Sequence, residues 1–126
     1  MRQEDIIIEI RKICGSVKKM PVVGWHFVFN NRHIFFSTND KDGGMLRFCV
    51  PHIANVGDFD LERVNEALND TNRNVKYVKA VRLDCGSVAI NYDHRASLDE
   101  TAESIVKHIL RTLDFGSAYL LRQLER

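Results

Sequence analysis

The sequence is short of several things, and each shortage excludes something. It has no long apolar run. The first twelve residues, MRQEDIIIEIRK, hold three consecutive isoleucines before charge returns. A secretory signal needs a longer apolar stretch and a membrane helix needs about 20 residues. The chain is therefore expected to be cytoplasmic, with no membrane partner. Cysteine is scarce: Cys14, Cys49 and Cys85 are odd in number, far apart and never arranged as CxxC. That is not a disulfide framework, and three reduced thiols are expected. Neither sign of charge is in excess, since 18 Lys and Arg face 17 Asp and Glu for a net charge of +1. A nucleic-acid binder usually carries a basic surplus, so no nucleic-acid partner is expected. A glycine-rich phosphate loop, a Ser/His/Asp order with an oxyanion loop and a calcium loop are all missing. Asp40-Lys41-Asp42-Gly43-Gly44 has two carboxylates but lacks the later acidic ligand of a calcium loop, and reads as a hairpin turn.

What remains is enough for one domain covering residues 1–126. Hydrophobic residues make up 44% of the 126, sufficient for a core, and 28% are charged, which argues against disorder. Apolar side chains at Ile6, Ile10, Ile13, Cys14 and Val17 follow one helical face. Glu4 and Asp5 at its start and Arg11, Lys12, Lys18 and Lys19 at its end suit the helix dipole. Aromatic and β-branched residues then dominate. Asn30-Asn31 between two apolar runs predicts a tight hairpin turn, because Asn tolerates positive φ. Strands are expected near 22–29, 33–38 and 45–50, with a longer turn at Asn39 to Gly44 and an end to the third strand at Pro51.

Asp58 or Asp60 would cap a second helix that buries Phe59, Leu61, Val64 and Leu68. Two further strands are expected near 75–83 and 87–92, joined by Asp84-Cys85-Gly86-Ser87. Ser97 and Glu100 form a capping box for a long last helix, with Leu98, Ala102, Ile105, Val106, Ile109 and Leu113 along its apolar stripe. Unbroken from 98 to 125, that helix would be about 42 Å long, so a bend is expected near Asp114–Ser117. The order α-β-β-β-α-β-β-α predicts the α+β class, with a five-stranded antiparallel sheet packed with helices.

Candidate chemistry is thin. NYDHR, Asn91 to Arg95, offers four reactive side-chain types in a row. Strand alternation sends Tyr92 to the core face and Asn91 and Asp93 the other way, so the group does not converge. His26 and His33 can face each other across the first hairpin. With Cys49 they are the one metal arrangement worth considering, although no local pair seeds a three- or four-ligand zinc site. Cys85 sits in a tight turn, where reactivity would need a depressed pKa. No catalytic residue, metal ligand or cofactor-binding residue is assigned.

The stretch VNEALNDTNRNVKYVKAVRLDCGSVAINYDHRASLDETAESIVKHILRTLD resembles the YbjN-type proteins, a family of bacterial sensory transduction regulators. The matching pieces are Val64-Asn65 and Asn72, Asp84 to Gly86, and Ser97 to Glu100; residues 60–114 carry the resemblance best. It implies a fold similar to type III secretion chaperones, which are small cytoplasmic dimers that bind unfolded partner segments. A non-enzymatic protein-binding or regulatory module, self-associating as a homodimer, is therefore expected. The alternative is a small enzyme or ligand-binding domain with an unrecognised pocket. The early strands are apolar on both faces, and Val28, Phe35, Cys49, Ala80 and Ala89 are expected on a face that needs cover. The resemblance makes the second helix with the last two strands, around Val64 and Leu68, the first choice of dimer surface. The sheet face around Val28 and Phe35 is the second.

Overall fold

Ile6, Ile7 and Ile10 bury one side of the first helix, α1 (Gln3–Cys14), as the isoleucine spacing dictates. The computed structural model describes residues 2–39 and 44–126. After α1 the chain forms β1 (Lys18–Met20), β2 (Gly24–Phe29), β3 (Arg32–Asn39) and β4 (Met45–Asn55). A 3-10 turn leads to α2 (Leu61–Asn74), then β5 (Val78–Arg82), β6 (Ser87–Arg95) and α3 (Ala102–Leu124). The strands make one six-stranded sheet in the order β1-β2-β3-β4-β6-β5, with every neighbouring pair antiparallel. The class is α+β, as expected, with one strand more than expected.

The extra strand is β1. Lys18-Lys19-Met20 has no hydrophobic alternation to announce it, and it pairs back on β2 around a turn at 21–23. Val22 and Val23 belong to that turn and not to a strand; Val22 has φ +71° and is fully exposed. A three-residue edge strand carrying lysines is a poor template for further pairing. The other edge, β5, is closed from within. The Asn72 amide donates to the Ala80 carbonyl at 3.0 Å and its oxygen accepts from the Ala80 N–H at 2.6 Å. Asn72 thus takes the place of a further strand at that point.

The hairpin turn at Asn30-Asn31 forms as expected, with both residues at positive φ (52° and 66°). It is held to the end of the fold by one carboxylate. Asp114 on α3 accepts from Asn30 Nδ2 at 2.9 Å and from Arg32 Nε at 2.8 Å. The turn expected at Asn39 to Gly44 lies largely outside the described residues; β3 and β4 meet on either side of it through Asn39 and Met45.

Pro51 does not end the third long strand. β4 runs through it to Asn55, with a register shift between Val50 and Ala54 and His52 at φ +55°. A bulge is one of the few places where a sheet accepts a residue without an N–H. Nor does Ser97 open the last helix. Ser97 and Glu100 bond each other within a separate turn, where Leu98 is fully exposed. The helix starts four residues later, capped by Thr101, whose Oγ1 accepts from Ser104 N at 3.2 Å while Ser104 Oγ accepts from Thr101 N at 3.1 Å. Its 23 residues span about 34 Å, and they continue through Gly116 without a break. A Cβ on Gly116 would lie 3.4–3.6 Å from Ile90, Val78 and Val75. The glycine therefore lets the helix lie close on the sheet and does not bend it.

All three helices feed one core with the sheet face bearing Phe27, Ile34, Phe36, Phe48, Val50 and Ile90. Phe36 and Phe48 stack at 4.8 Å, and Phe27 meets Phe48 edge-on at 6.4 Å. Each fully buried ring contributes about 1.5–3 kcal/mol relative to exposure.

Candidate functional site

With the helices on one side, the other face of the sheet carries no helix among the described residues, although Ala89 on that face is 0% exposed. Pairing register defines its rows. The central row runs Lys18, His26, Phe35, Cys49, Asn91, Lys79 across all six strands. Val28 and His33 pair in the row on one side, and Ser37, Arg47 and Asp93 align in the row on the other. Val28 is 41% exposed, while Phe35 and Cys49 are half-buried. Ala80, expected here, is instead on the core side opposite Ile90, and its neighbour Val81 takes the open face beside Ala89. The alternation Val78-Lys79-Ala80, with a charge at the middle position, already points Ala80 inward with Val78 and leaves Lys79 on the open face. A groove of about 390 Å³ lies between His26, His33 and Phe35 on one wall and Pro51, His52 and Ile53 on the other.

The two expected dimer surfaces fare differently. Val28 and Phe35 stand on the open face. Val64 is 0% exposed, in the core with Ala67 and Thr71 at 1% and 0%, and Leu68 is only partly covered. Val64 therefore offers nothing to a partner: its side of α2 is spent on the monomer's own core. Leu61, expected to be buried, is 52% exposed.

His26 and His33 do meet. Nε2 of His26 lies 2.9 Å from Nδ1 of His33, with ring planes only 10° apart and centroids 5.1 Å apart. That centroid separation is close to its geometric maximum, the nitrogen–nitrogen distance plus two ring radii. The rings thus meet edge to edge, sharing one proton in a linear N–H···N bond, instead of overlapping face to face. One of the two facing nitrogens carries that proton and the other's lone pair accepts it, so the pair is bonded to itself and does not converge on a common point where a cation could sit. Cys49 is separated from His26 by Phe35 in the row. Among the described residues no three His, Cys, Asp or Glu side chains are placed to hold a metal ion.

Desolvation, then the neighbouring His33 and Lys18, hold the His26 pKa below its ordinary value of 6.5. A histidine with a depressed pKa binds protons less readily folded than unfolded, so the fold is expected to lose stability as pH falls below the ordinary value. The imidazole titration of His26, followed by NMR, should have its midpoint below 6.5 and move up in His33→Ala. An unmoved midpoint would show that His33 contributes nothing.

The NYDHR stretch is divided between the faces. Asp93 is on the open side, gripped by Nε and Nη2 of Arg47 at 2.6 and 2.8 Å, which holds its carboxyl below the ordinary carboxylate value. Tyr92 is buried on the helix side against Tyr77 and His108. His94, also on that side, bonds Glu100 at 2.9 Å and fastens the β6–α3 connection. No common cleft joins them.

Fold and face together define the class: an α+β domain whose open antiparallel sheet is helix-covered on one side and partly apolar on the other. No protein-family model matches the chain, and no curated protein matches it in sequence. No helix among the described residues is long and apolar enough to cross a membrane.

Proposed function

We propose that the chain is a non-enzymatic protein-binding module, of type III secretion chaperone-like fold and YbjN-type character, that works in the cytoplasm as a homodimer paired through its open sheet face. One observation carries the reading: the helix-free sheet face, on which Phe35 and Cys49 pair in the central row and Val28 stands exposed in the row beside it. Monomers seldom leave an apolar patch larger than a few hundred Å² to water. Closed two-fold pairing is the commonest way to cover one. The order of helices and long strands agrees with the proposed fold, and β1 is an addition at the edge. The burial of Val64 removes the α2 surface from first place.

Size exclusion with light scattering tests the pairing. The expected mass is twice the 14.5 kDa of one chain, and Phe35→Glu is expected to halve it while leaving the circular dichroism unchanged. A mass of 14.5 kDa for the unaltered protein at high micromolar concentration overturns the proposal. A dimer that survives Phe35→Glu moves the interface away from the sheet.

A further inference from the structure

The bulge in β4, one wall of the open-face groove, also serves a second hollow. It turns the ring of His52 toward the β5–β6 turn, where Nδ1 lies 2.9 Å from Oγ of Ser87. Ser87 Oγ in turn lies 3.4 Å from Sγ of Cys85. The three groups come from two separate elements and line one hollow of about 380 Å³ with Ala54, Asn55 and Gly86. Cys85 is exposed and Ser87 is 8% exposed.

We propose that Cys85, Ser87 and His52 form a thiol-exchange site that takes a small, uncharged disulfide. The chain of contacts works in both protonation states. As a thiol, Cys85 donates to Ser87 Oγ, and Ser87 donates to His52 Nδ1. When both protons shift along the chain, the imidazolium donates to Ser87 and Ser87 donates to the thiolate. The net result is one proton moved from sulfur to His52. The Ser87 hydroxyl bond holds the Cys85 thiol below its ordinary value, helped by the Ser87 backbone and opposed by desolvation and by Asp84. The thiolate then attacks one sulfur of the disulfide. A new S–S bond forms at Cys85, the old one breaks, and the departing thiolate takes the proton held on His52. Cys85 is oxidised to the mixed disulfide and the leaving half is reduced to a thiol. No side chain lining the hollow other than His52 carries or acquires charge besides Cys85 itself, which favours an uncharged reactant.

The other thiols serve as internal controls, because burial raises the pKa of both Cys14 and Cys49. Bis(2-hydroxyethyl) disulfide is the probe, with each cysteine's mixed disulfide followed by peptide mass spectrometry. At pH 7 Cys85 is expected to react about tenfold faster than Cys14 or Cys49, since thiolate fraction sets the rate. Ser87→Ala and His52→Asn should each slow Cys85 several-fold at pH 7 and leave its rate above the ordinary thiol pKa unchanged. Asn tolerates the positive φ at position 52 but cannot serve as the base. Ser87→Thr keeps the hydroxyl and should keep the rate. A variant that unfolds is recognised by faster reaction of Cys14 and Cys49. A Cys85 rate unchanged in both Ser87→Ala and His52→Asn overturns the relay, and a Cys85 no faster than Cys14 overturns the site.

Discussion

Gly24→Ala is expected to destabilise the protein by on the order of 3 kcal/mol or more, far above the usual effect of adding one methyl group. Two causes act together. Gly24 has φ +120°, where an L side chain is strained in its own right. A Cβ there would also stand 2.3 Å from the carbonyl oxygen of Phe36 and 3.2 Å from the Cβ of Ser37. Neither neighbour can give way cheaply. Phe36 is 0% exposed, and its ring is stacked on Phe48 in the core. Its backbone is locked between Trp25 and Phe48 in the ladder. The added methyl must therefore push β2 away from β3 at its start, which also loosens β1, because Met20 pairs with Gly24. Gly15 and Gly86 supply the comparison. They have φ +90° and +89°, with nothing within 4 Å of the added Cβ. Alanine at either should cost only about 1–2 kcal/mol, the conformational part alone. Urea unfolding of the three variants separates the contributions. Equal midpoints for Gly24→Ala and Gly15→Ala would dispose of the steric argument.

Gly24 also illustrates what the sequence could and could not convey. A local signal sufficed where conformation is decided locally. Asn30-Asn31 gave its turn because Asn accepts positive φ. Alternation along Trp25–Phe29 and Val88–Tyr92 separated the two faces and broke up the NYDHR group correctly. The proximity of His26 and His33 followed from the same hairpin register. Where the decision belonged to a distant partner, local reading failed. Lys18-Lys19-Met20 is a strand only because β2 offers an edge. Pro51 looks like a stop, yet the chain absorbs it in a bulge because β6 continues alongside. Ser97-Leu98-Asp99-Glu100 has the composition of a helix cap, but its bonds close a turn that His94 ties back to β6. The contact of His52 with Ser87 spans 35 residues and depends on that same bulge, so no spacing rule could have joined them. Val64 was placed at an interface by resemblance, although its helical phase alone already assigned it to the buried side.

Val64→Glu is accordingly expected to act on folding and not on association, with a loss on the order of 4–5 kcal/mol at neutral pH. That is comparable to the whole stability of a marginal domain. Val64 is 0% exposed, and Val64, Ala67 and Thr71 are the buried residues of α2. A carboxylate there would lose its water and gain no cation, so it would be driven toward the neutral acid. The pH dependence follows in sign. A buried carboxyl has its folded-state pKa raised above the unfolded value, so the deficit should be largest at pH 7. It should shrink as pH falls through the raised pKa toward about 4.3, the ordinary value for glutamate. Phe35→Glu, on the open face, puts its carboxylate where water can reach it in the monomer, and should leave the unfolding midpoint nearly unchanged at low protein concentration. The pair of variants thus separates core from interface. Thermal unfolding at pH 7 and pH 4.5, with light scattering on the same samples, reads both quantities. If Val64→Glu kept its unfolding midpoint at pH 7 and became monomeric, α2 would be the pairing surface and the open sheet face would not.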